Sequence, residues 1–200
     1  MKASLEQAVG LYENQVNPAV EYLLGRGIGR ESIESFRLGF VSEPISGHEQ
    51  YQGCISIPSL GPSGVYGLRF RSLRADGPKY LGLSGAPTRL FNIRDIHTAT
   101  DTICVTEGEL DAVILSQCGL KATGVSGANS WKRHHPRMMA GFEKVYIFGD
   151  GDKAGSDFAK QVMASLDNGI RVRLPENLDV NEYFLKHGER GLLDLMSEMN

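Results

Sequence analysis

Apolar residues recur at helical spacing along the start of the chain. Leu11, Val16, Val20, Leu23 and Leu24 form a stripe within residues 3–26, broken or restarted at Asn17-Pro18. Gly25-Arg26-Gly27-Ile28-Gly29 reads as a turn, and a short helix is expected over 31–37. The pattern then changes to short β-type runs at 38–41, 53–60 and 65–73. The second and third flank Gly61-Pro62-Ser63-Gly64, a hairpin signal, and 79–83 offers a further strand.

Near residue 98 the grammar changes again. Continuous apolar strands are expected at 102–106, 122–125, 144–148 and 170–174. Helices are expected between them at 110–117, 135–140 and 154–166, and two more close the chain at 180–186 and 192–199. Short apolar strands alternating with helices predict a mainly parallel sheet covered on both faces. The expected fold class is therefore α/β. A C-terminal α/β domain is expected over 99–200, with a central sheet flanked by helices. A smaller helical and basic α+β subdomain, 1–98, precedes it. In such sheets functional groups gather beyond the carboxyl ends of the strands.

Composition narrows the class. The chain has 200 residues, 41% apolar and 22% charged, ordinary for a soluble globular protein, and the length leaves room for one catalytic module but not for an appended motor. No run approaches the roughly 18 apolar residues of a membrane span, and the start lacks the apolar stretch of a signal peptide. Three widely spaced cysteines, Cys54, Cys104 and Cys118, argue for a reducing compartment, and a cytoplasmic location is expected. Cys104 and Cys118 read as buried small hydrophobes. With no Cys-x-x-Cys pair there is no zinc ribbon, and with no GxxxxGK[ST] segment there is no P-loop ATPase.

The formal net charge of −3 hides local polarity. From Tyr66 to Arg94 lie Arg69, Arg71, Arg74, Lys79, Arg89 and Arg94 against the single acid Asp76. From Asp101 to Leu120 lie Asp101, Glu107, Glu109 and Asp111 with no Lys or Arg. Solvated faces can give such a pattern, and so can a phosphate-binding surface beside a metal site.

Three acidic clusters each follow an expected strand: Glu107-Gly108-Glu109-Leu110-Asp111, Asp150-Gly151-Asp152, and Glu176-Asn177-Leu178-Asp179-Val180-Asn181-Glu182. If the strands are parallel neighbours, all three emerge at one edge, where crowded carboxylates repel unless a cation sits among them. Hard oxygen ligands select Mg²⁺ or Mn²⁺. A single such cluster would read as loop and cap residues; three in register are harder to dismiss. An EF-hand fails, because Ala154 and Gln161 occupy its positions 5 and 12.

Glu107 and the Asp150-Gly151-Asp152 loop, 43 residues on, resemble the TOPRIM domain of primases, topoisomerases and certain nucleases. Lys153-Ala154-Gly155 matches the primase version, and Leu178-Asp179-Val180-Asn181-Glu182 is similar to the third acidic motif of phage and mitochondrial primase-helicases. Bacterial enzymes often carry Asp where this chain has Asn181. Upstream, Tyr22-Leu23-Leu24-Gly25-Arg26-Gly27-Ile28 and Phe36-Arg37-Leu38-Gly39-Phe40 resemble the helical lead-in of bacterial-type primases. Gly67-Leu68-Arg69-Phe70-Arg71 and Pro78-Lys79-Tyr80-Leu81 resemble their basic subdomain. Gly82-Leu83 replaces the usual Asn-Ser, and Arg89 is the nearest basic match to a second family lysine. The resemblance covers residues 18–188 and is to a catalytic core without the zinc ribbon or helicase parts.

The resemblance implies a DNA primase that synthesises short RNA primers on single-stranded DNA by metal-dependent nucleotidyl transfer. Glu107, Asp150 and Asp152 would be catalytic. Glu107, Asp111, Asp150, Asp152 and Asp179 would hold Mg²⁺ or Mn²⁺. Arg69, Arg71, Lys79, Tyr80, Arg89 and Lys153 would bind nucleotide and template. Expected partners are single-stranded DNA, NTPs, a separate zinc-ribbon protein and a replicative helicase, with no membrane. A TOPRIM nuclease and a non-catalytic nucleic-acid-binding subunit are the alternatives. Lys153 either meets a phosphate or pairs with Asp157 four residues on. Trp131, beside Lys132 and Arg133, is expected at the core or rim rather than stacked on a base, and His134 and His135 in a solvated loop.

Overall fold

The computed structural model describes residues 2–74, 76–127 and 130–198. The chain divides into two compact units, Met1–Thr88 and Arg89–Asn200.

In the first unit Pro18 sits in the opening turn of a second helix, where its missing N–H costs nothing, so the apolar stripe splits at Asn17 into α1 (Lys2–Glu13) and α2 (Asn17–Gly25). After α3 (Arg30–Ser35) come β1 (Gly39–Phe40), β2 (Cys54–Gly61), β3 (Gly64–Ser72) and β4 (Tyr80–Gly82), an antiparallel sheet in that order. The hairpin closes at Gly61↔Gly64, and Gly64 takes the positive φ of 97° that the turn requires. A 3₁₀ turn, Glu49–Tyr51, carries no sequence signal; it swings Tyr51 onto Phe70, with ring centroids 3.8 Å apart. These rings pack with Ala8, Val9 and Tyr12 of α1 into one core. Gly39 lets α1 approach closely, since a Cβ there would collide with the Tyr12 backbone. Arg37 then ties α1 down through Glu13 at 2.8 Å and Glu6 at 2.7 Å.

The second unit holds β5 (Thr102–Thr106), β6 (Ala122–Gly124), β7 (Lys144–Gly149) and β8 (Gly169–Arg173), all parallel, in the order β6-β5-β7-β8. On one face Ile103, Val105, Val145 and Ile147 pack with Phe158, Ala159 and Val162 of α7 (Lys153–Met163). On the sheet's other side α5 (Glu109–Gln117) packs on α8 (Val180–Ser197). The expected pair of closing helices is present as two helical segments of α8 that break at Gly188, whose φ of 65° and ψ of −170° are not helical. The expected end of that pair, Met199, lies outside the described residues.

One helix was not expected. α4 (Ile93–Thr98) is only six residues long and has no apolar period. It is held by tertiary contacts. Phe91 bridges Gly124, Asn92 donates to the Ala122 carbonyl at 2.9 Å, and buried Asp95 accepts from Ser116 Oγ at 3.1 Å and the Ala122 N–H at 3.2 Å. These bonds attach residues 91–98 to β6, and the compact units divide at Thr88/Arg89. α6 (His135–Met139) begins where expected, but His135 is buried, not solvated; its Nδ1 accepts the Lys132 N–H at 3.1 Å. Trp131 lies in the core and donates to Ser165 Oγ at 3.0 Å.

Candidate active site

Parallel pairing of β5, β7 and β8 as consecutive neighbours brings the ends of all three acidic segments to one edge of the sheet. Glu107 follows β5, Asp150 follows β7, and the 174–179 turn follows β8. The backbone around Glu107 is fixed from both sides. Thr106 Oγ1 donates to the Gly108 carbonyl at 2.7 Å, and Gly127 donates its N–H to the Glu107 carbonyl at 3.2 Å. Gly124 ends β6 because a Cβ there would press on the Gly108 carbonyl.

The Asp-Gly-Asp loop is shaped by sterics. A Cβ on Gly149 would strike the Gly155 carbonyl, one on Gly155 the Asp150 backbone, and one on Gly151 the Pro175 carbonyl. The glycine spacing is thus set by backbone-to-backbone packing between this loop and its neighbours. Asp152 caps α7, its Oδ1 accepting the Gly155 N–H at 2.8 Å. This uses one oxygen and leaves the side chain exposed.

Glu107 is the perturbed group. Burial pushes its carboxyl above the ordinary glutamate range, and the nearby Asp152 charge pushes it further the same way. A hydrogen bond from the Asp150 backbone opposes both. Its Oε2 is buried with no hydrogen-bond partner. Two like charges and an unsatisfied buried oxygen suit a hard cation. Among the described residues no three His, Cys, Asp or Glu side chains converge as a ready-made cage.

The weaker candidates have structural work of their own. Asp111 is buried in the first turn of α5, its Oδ2 lying over Gly108, where a Cβ would be 2.6 Å away. Asp179 is the N-cap of α8, in a reciprocal capping box with Glu182. Asn181 is fully buried behind it. Lys153 pairs with Asp157 at 2.7 Å, the second of its two sequence readings.

The basic candidates Arg69, Arg71, Lys79 and Tyr80 belong to the first unit, whereas Arg89 opens the second, exposed. Register places Arg71 opposite Tyr80 and Arg69 opposite Gly82. The Arg71 guanidinium carbon lies 4.9 Å from the Tyr80 ring centroid and 5.3 Å from that of Tyr22, and Nη1 donates to Tyr80 Oη at 2.6 Å. Its Nε is buried without a partner. Two aromatic rings therefore hold the guanidinium in one pose. Tyr22 is the residue that sequence reasoning passed over. It lies in the Tyr22-Leu23-Leu24-Gly25-Arg26-Gly27-Ile28 motif, but a contact 49 residues away leaves no local signal. Lys79 is exposed, and its carbonyl accepts the Ser72 N–H at 2.9 Å.

Known proteins share this architecture. Residues 104–184 match a family described as Toprim-like. The gene 57 protein of Mycobacterium phage D29 is 36% identical over 149 residues, covering 72% of this chain and 98% of the phage protein. A DNA primase of Helicobacter pylori J99 is 26% identical over 229 residues; the match covers 92% of this chain and 41% of that enzyme. The chain thus spans well under half of that primase. A DnaG primase catalytic domain solved bound to ssDNA superposes with a TM-score of 0.80 at 21% identity, covering 96% of this chain and 76% of that one. Among the described residues no helix is long and apolar enough to cross a membrane. Residues 104–184 form a Toprim-like domain in a chain with the fold of primase catalytic cores, and the chain belongs to one family with the gene 57 protein of Mycobacterium phage D29.

Proposed function

We propose that this chain is the catalytic core of a DNA primase, joining ribonucleotides into short RNA primers on single-stranded DNA. The observation that carries the reading is Glu107 itself: a carboxylate raised by burial and by Asp152, with a buried oxygen that nothing satisfies, at the edge where Asp150 emerges.

In this reaction a 3′-hydroxyl attacks an α-phosphate in line, its proton is lost and pyrophosphate leaves. Positioning and charge neutralisation supply the catalysis. A divalent ion, Mg²⁺ or Mn²⁺, would neutralise charge on the phosphate and make the hydroxyl more acidic. Asp150 and Asp152 would hold that ion, with Glu107 either ligating it or receiving the hydroxyl proton. Asp111 and Asp179 would act at one remove, through water. Arg69, Arg71, Lys79 and Arg89 would grip triphosphate and template phosphates, with Tyr80 shaping the nucleotide site, and Lys153 would add charge next to the loop. Such contacts give affinity without reading sequence.

A zinc-ribbon protein and a replicative helicase are the expected partners, as a TOPRIM core of this kind needs template selection and an unwound strand. The site of action would be the cytoplasm, where the template is, that of a host if the chain is viral. The test is incubation of the protein with single-stranded DNA, labelled NTPs and Mn²⁺, alone and with a zinc-ribbon protein from the same replication system. Short RNA products are expected, and Lys79→Ala should reduce them by about a hundredfold while Mn²⁺ binding survives. DNA shortened without NTPs would favour a nuclease instead. Neither product, with or without the partner, would leave a binding subunit.

A further inference from the structure

β8 is the edge strand next to the Asp150 loop, and it carries two arginines that the proposed chemistry does not use. Arg171 and Arg173 alternate with buried Val172, so both lie on the face covered by α7. Arg173 is in register with Gly149, the residue before Asp150, and is exposed. Arg171, in register with Ile147, reaches α7 directly, its Nη2 donating to Ser156 Oγ at 3.1 Å. Along α7 beside Ser156 runs a second row of charge: Lys153 and Lys160, both exposed and both paired with Asp157, at 2.7 and 3.6 Å. Two lysines thus flank Asp157, and Arg171 meets the same helix at Ser156. No ion pair holds Arg171 or Arg173 among the described residues.

α7 begins at the carboxylate edge and β8 ends there, so the two rows run side by side away from it. Lys153 and Arg173 stand at the edge, with Lys160 and Arg171 further down. The arginines are about 6.7 Å apart along the strand and the lysines about 10 Å apart along the helix. Charged residues on an edge strand also discourage edge-to-edge pairing, but that role accepts either sign. It does not account for cations on the adjoining helix as well. A compact anion would call for converging cations, whereas an elongated double row suits a polymer with regularly spaced charge.

We infer that the α7–β8 flank is a track for nucleic-acid backbone, which guides the strand engaged at the carboxylates away from them. Arg171, Arg173 and Lys160 contact phosphates there without reading bases. This rests on the primase reading in so far as it requires nucleic acid at that edge.

The test measures binding alone. Fluorescence anisotropy would follow a labelled 20-nucleotide single-stranded DNA, and separately an RNA–DNA hybrid of the same length, in EDTA without NTPs across a salt series. Arg171→Ala with Arg173→Ala should weaken binding about tenfold at low salt. The double variant should also flatten the log–log salt slope by about 0.7 per lost contact on the single strand, or about 0.9 on the hybrid. The probe that responds identifies the form the track carries. Arg171→Lys with Arg173→Lys should keep the parental slope. Arg133→Ala with Arg137→Ala, at exposed arginines elsewhere in the same unit, should change nothing. If the double alanine variant does not fold, Arg173→Gln, at an exposed site, takes its place. Parental affinity and slope in the folded variants would overturn the track while leaving the primase reading intact. A parental protein that binds neither probe would overturn both.

Discussion

Gly151 donates its backbone N–H to the Leu178 carbonyl at 2.8 Å, and the Asn177 N–H returns to the Gly151 carbonyl at 2.8 Å. This reciprocal pair fastens the Asp150–Asp152 loop to the turn that leads into Asp179. The second and third acidic motifs therefore form one mechanical unit. Asn177 takes a left-handed φ of 61° to make the return bond.

Gly151→Ala should break that unit, because the added methyl would sit on the Pro175 carbonyl with no flexible side chain to yield. A loss of roughly 2–3 kcal/mol is expected, lowering Tm by about 4–10 °C. Differential scanning calorimetry checks this; an unchanged Tm would mean that the turn after β8 can shift freely.

Asp179 offers a way to separate capping from metal work. Asp179→Ala should cost about 1 kcal/mol through loss of the capping box, and Asp179→Ser should restore most of it. If the Ser variant recovers Tm but not Mn²⁺ affinity, measured by isothermal titration, Asp179 contributes to the ion as well as to the helix. Recovery of both confines it to the cap.

Glu107 should make the fold less stable as its charge forms. Its carboxyl is raised in the folded protein by burial and by Asp152. Below the ordinary glutamate range it is protonated whether folded or unfolded, and nothing is lost. As pH rises through that range and then through the raised value, the unfolded chain ionises first and stability falls. Glu107→Gln should therefore melt above the parent at pH 7, by roughly 1–3 °C, and the gain should vanish towards pH 3. Equal melting at both pH values would show that the charge is already compensated.

His135 behaves in the opposite sense on acidification. Burial, with help from His134 and Lys132, holds its imidazole down to about 4. Between pH 6.5 and 4 the unfolded chain binds a proton that the folded one refuses, so stability should fall with decreasing pH by up to about 1.4 kcal/mol per pH unit. His135→Asn keeps an acceptor for the Lys132 N–H and removes the titration. Its pH–Tm profile should be flatter there; a parallel profile would place the acid sensitivity elsewhere.

Much of the second unit is legible in the sequence because its short strands alternate with helices, and β5, β7 and β8 are each followed by an acidic segment. That pattern leads to parallel order and hence to the edge where Glu107 and Asp150 emerge. The rest depends on contacts that leave no local period. α4 is fixed by Asp95 reaching β6, not by its own six residues. The polar neighbourhood of His135 suggests a loop, yet packing against Trp131, with ring centroids 5.1 Å apart, buries it. The Tyr22–Arg71–Tyr80 stack joins a helix and two strands, so no spacing rule finds it. Lys153 shows the converse: its i, i+4 spacing to Asp157 is visible in the sequence, and the structure makes that pair.

On the proposed function the carboxylate edge drives nucleotide joining. The most direct measurement is Mn²⁺-dependent incorporation of labelled NTPs into short RNA on single-stranded DNA, comparing the parental protein with Asp150→Asn plus Asp152→Asn. The parent should make primers, and the folded double variant should fall by at least about a thousandfold. Primer synthesis that persists undiminished in that variant would contradict the account.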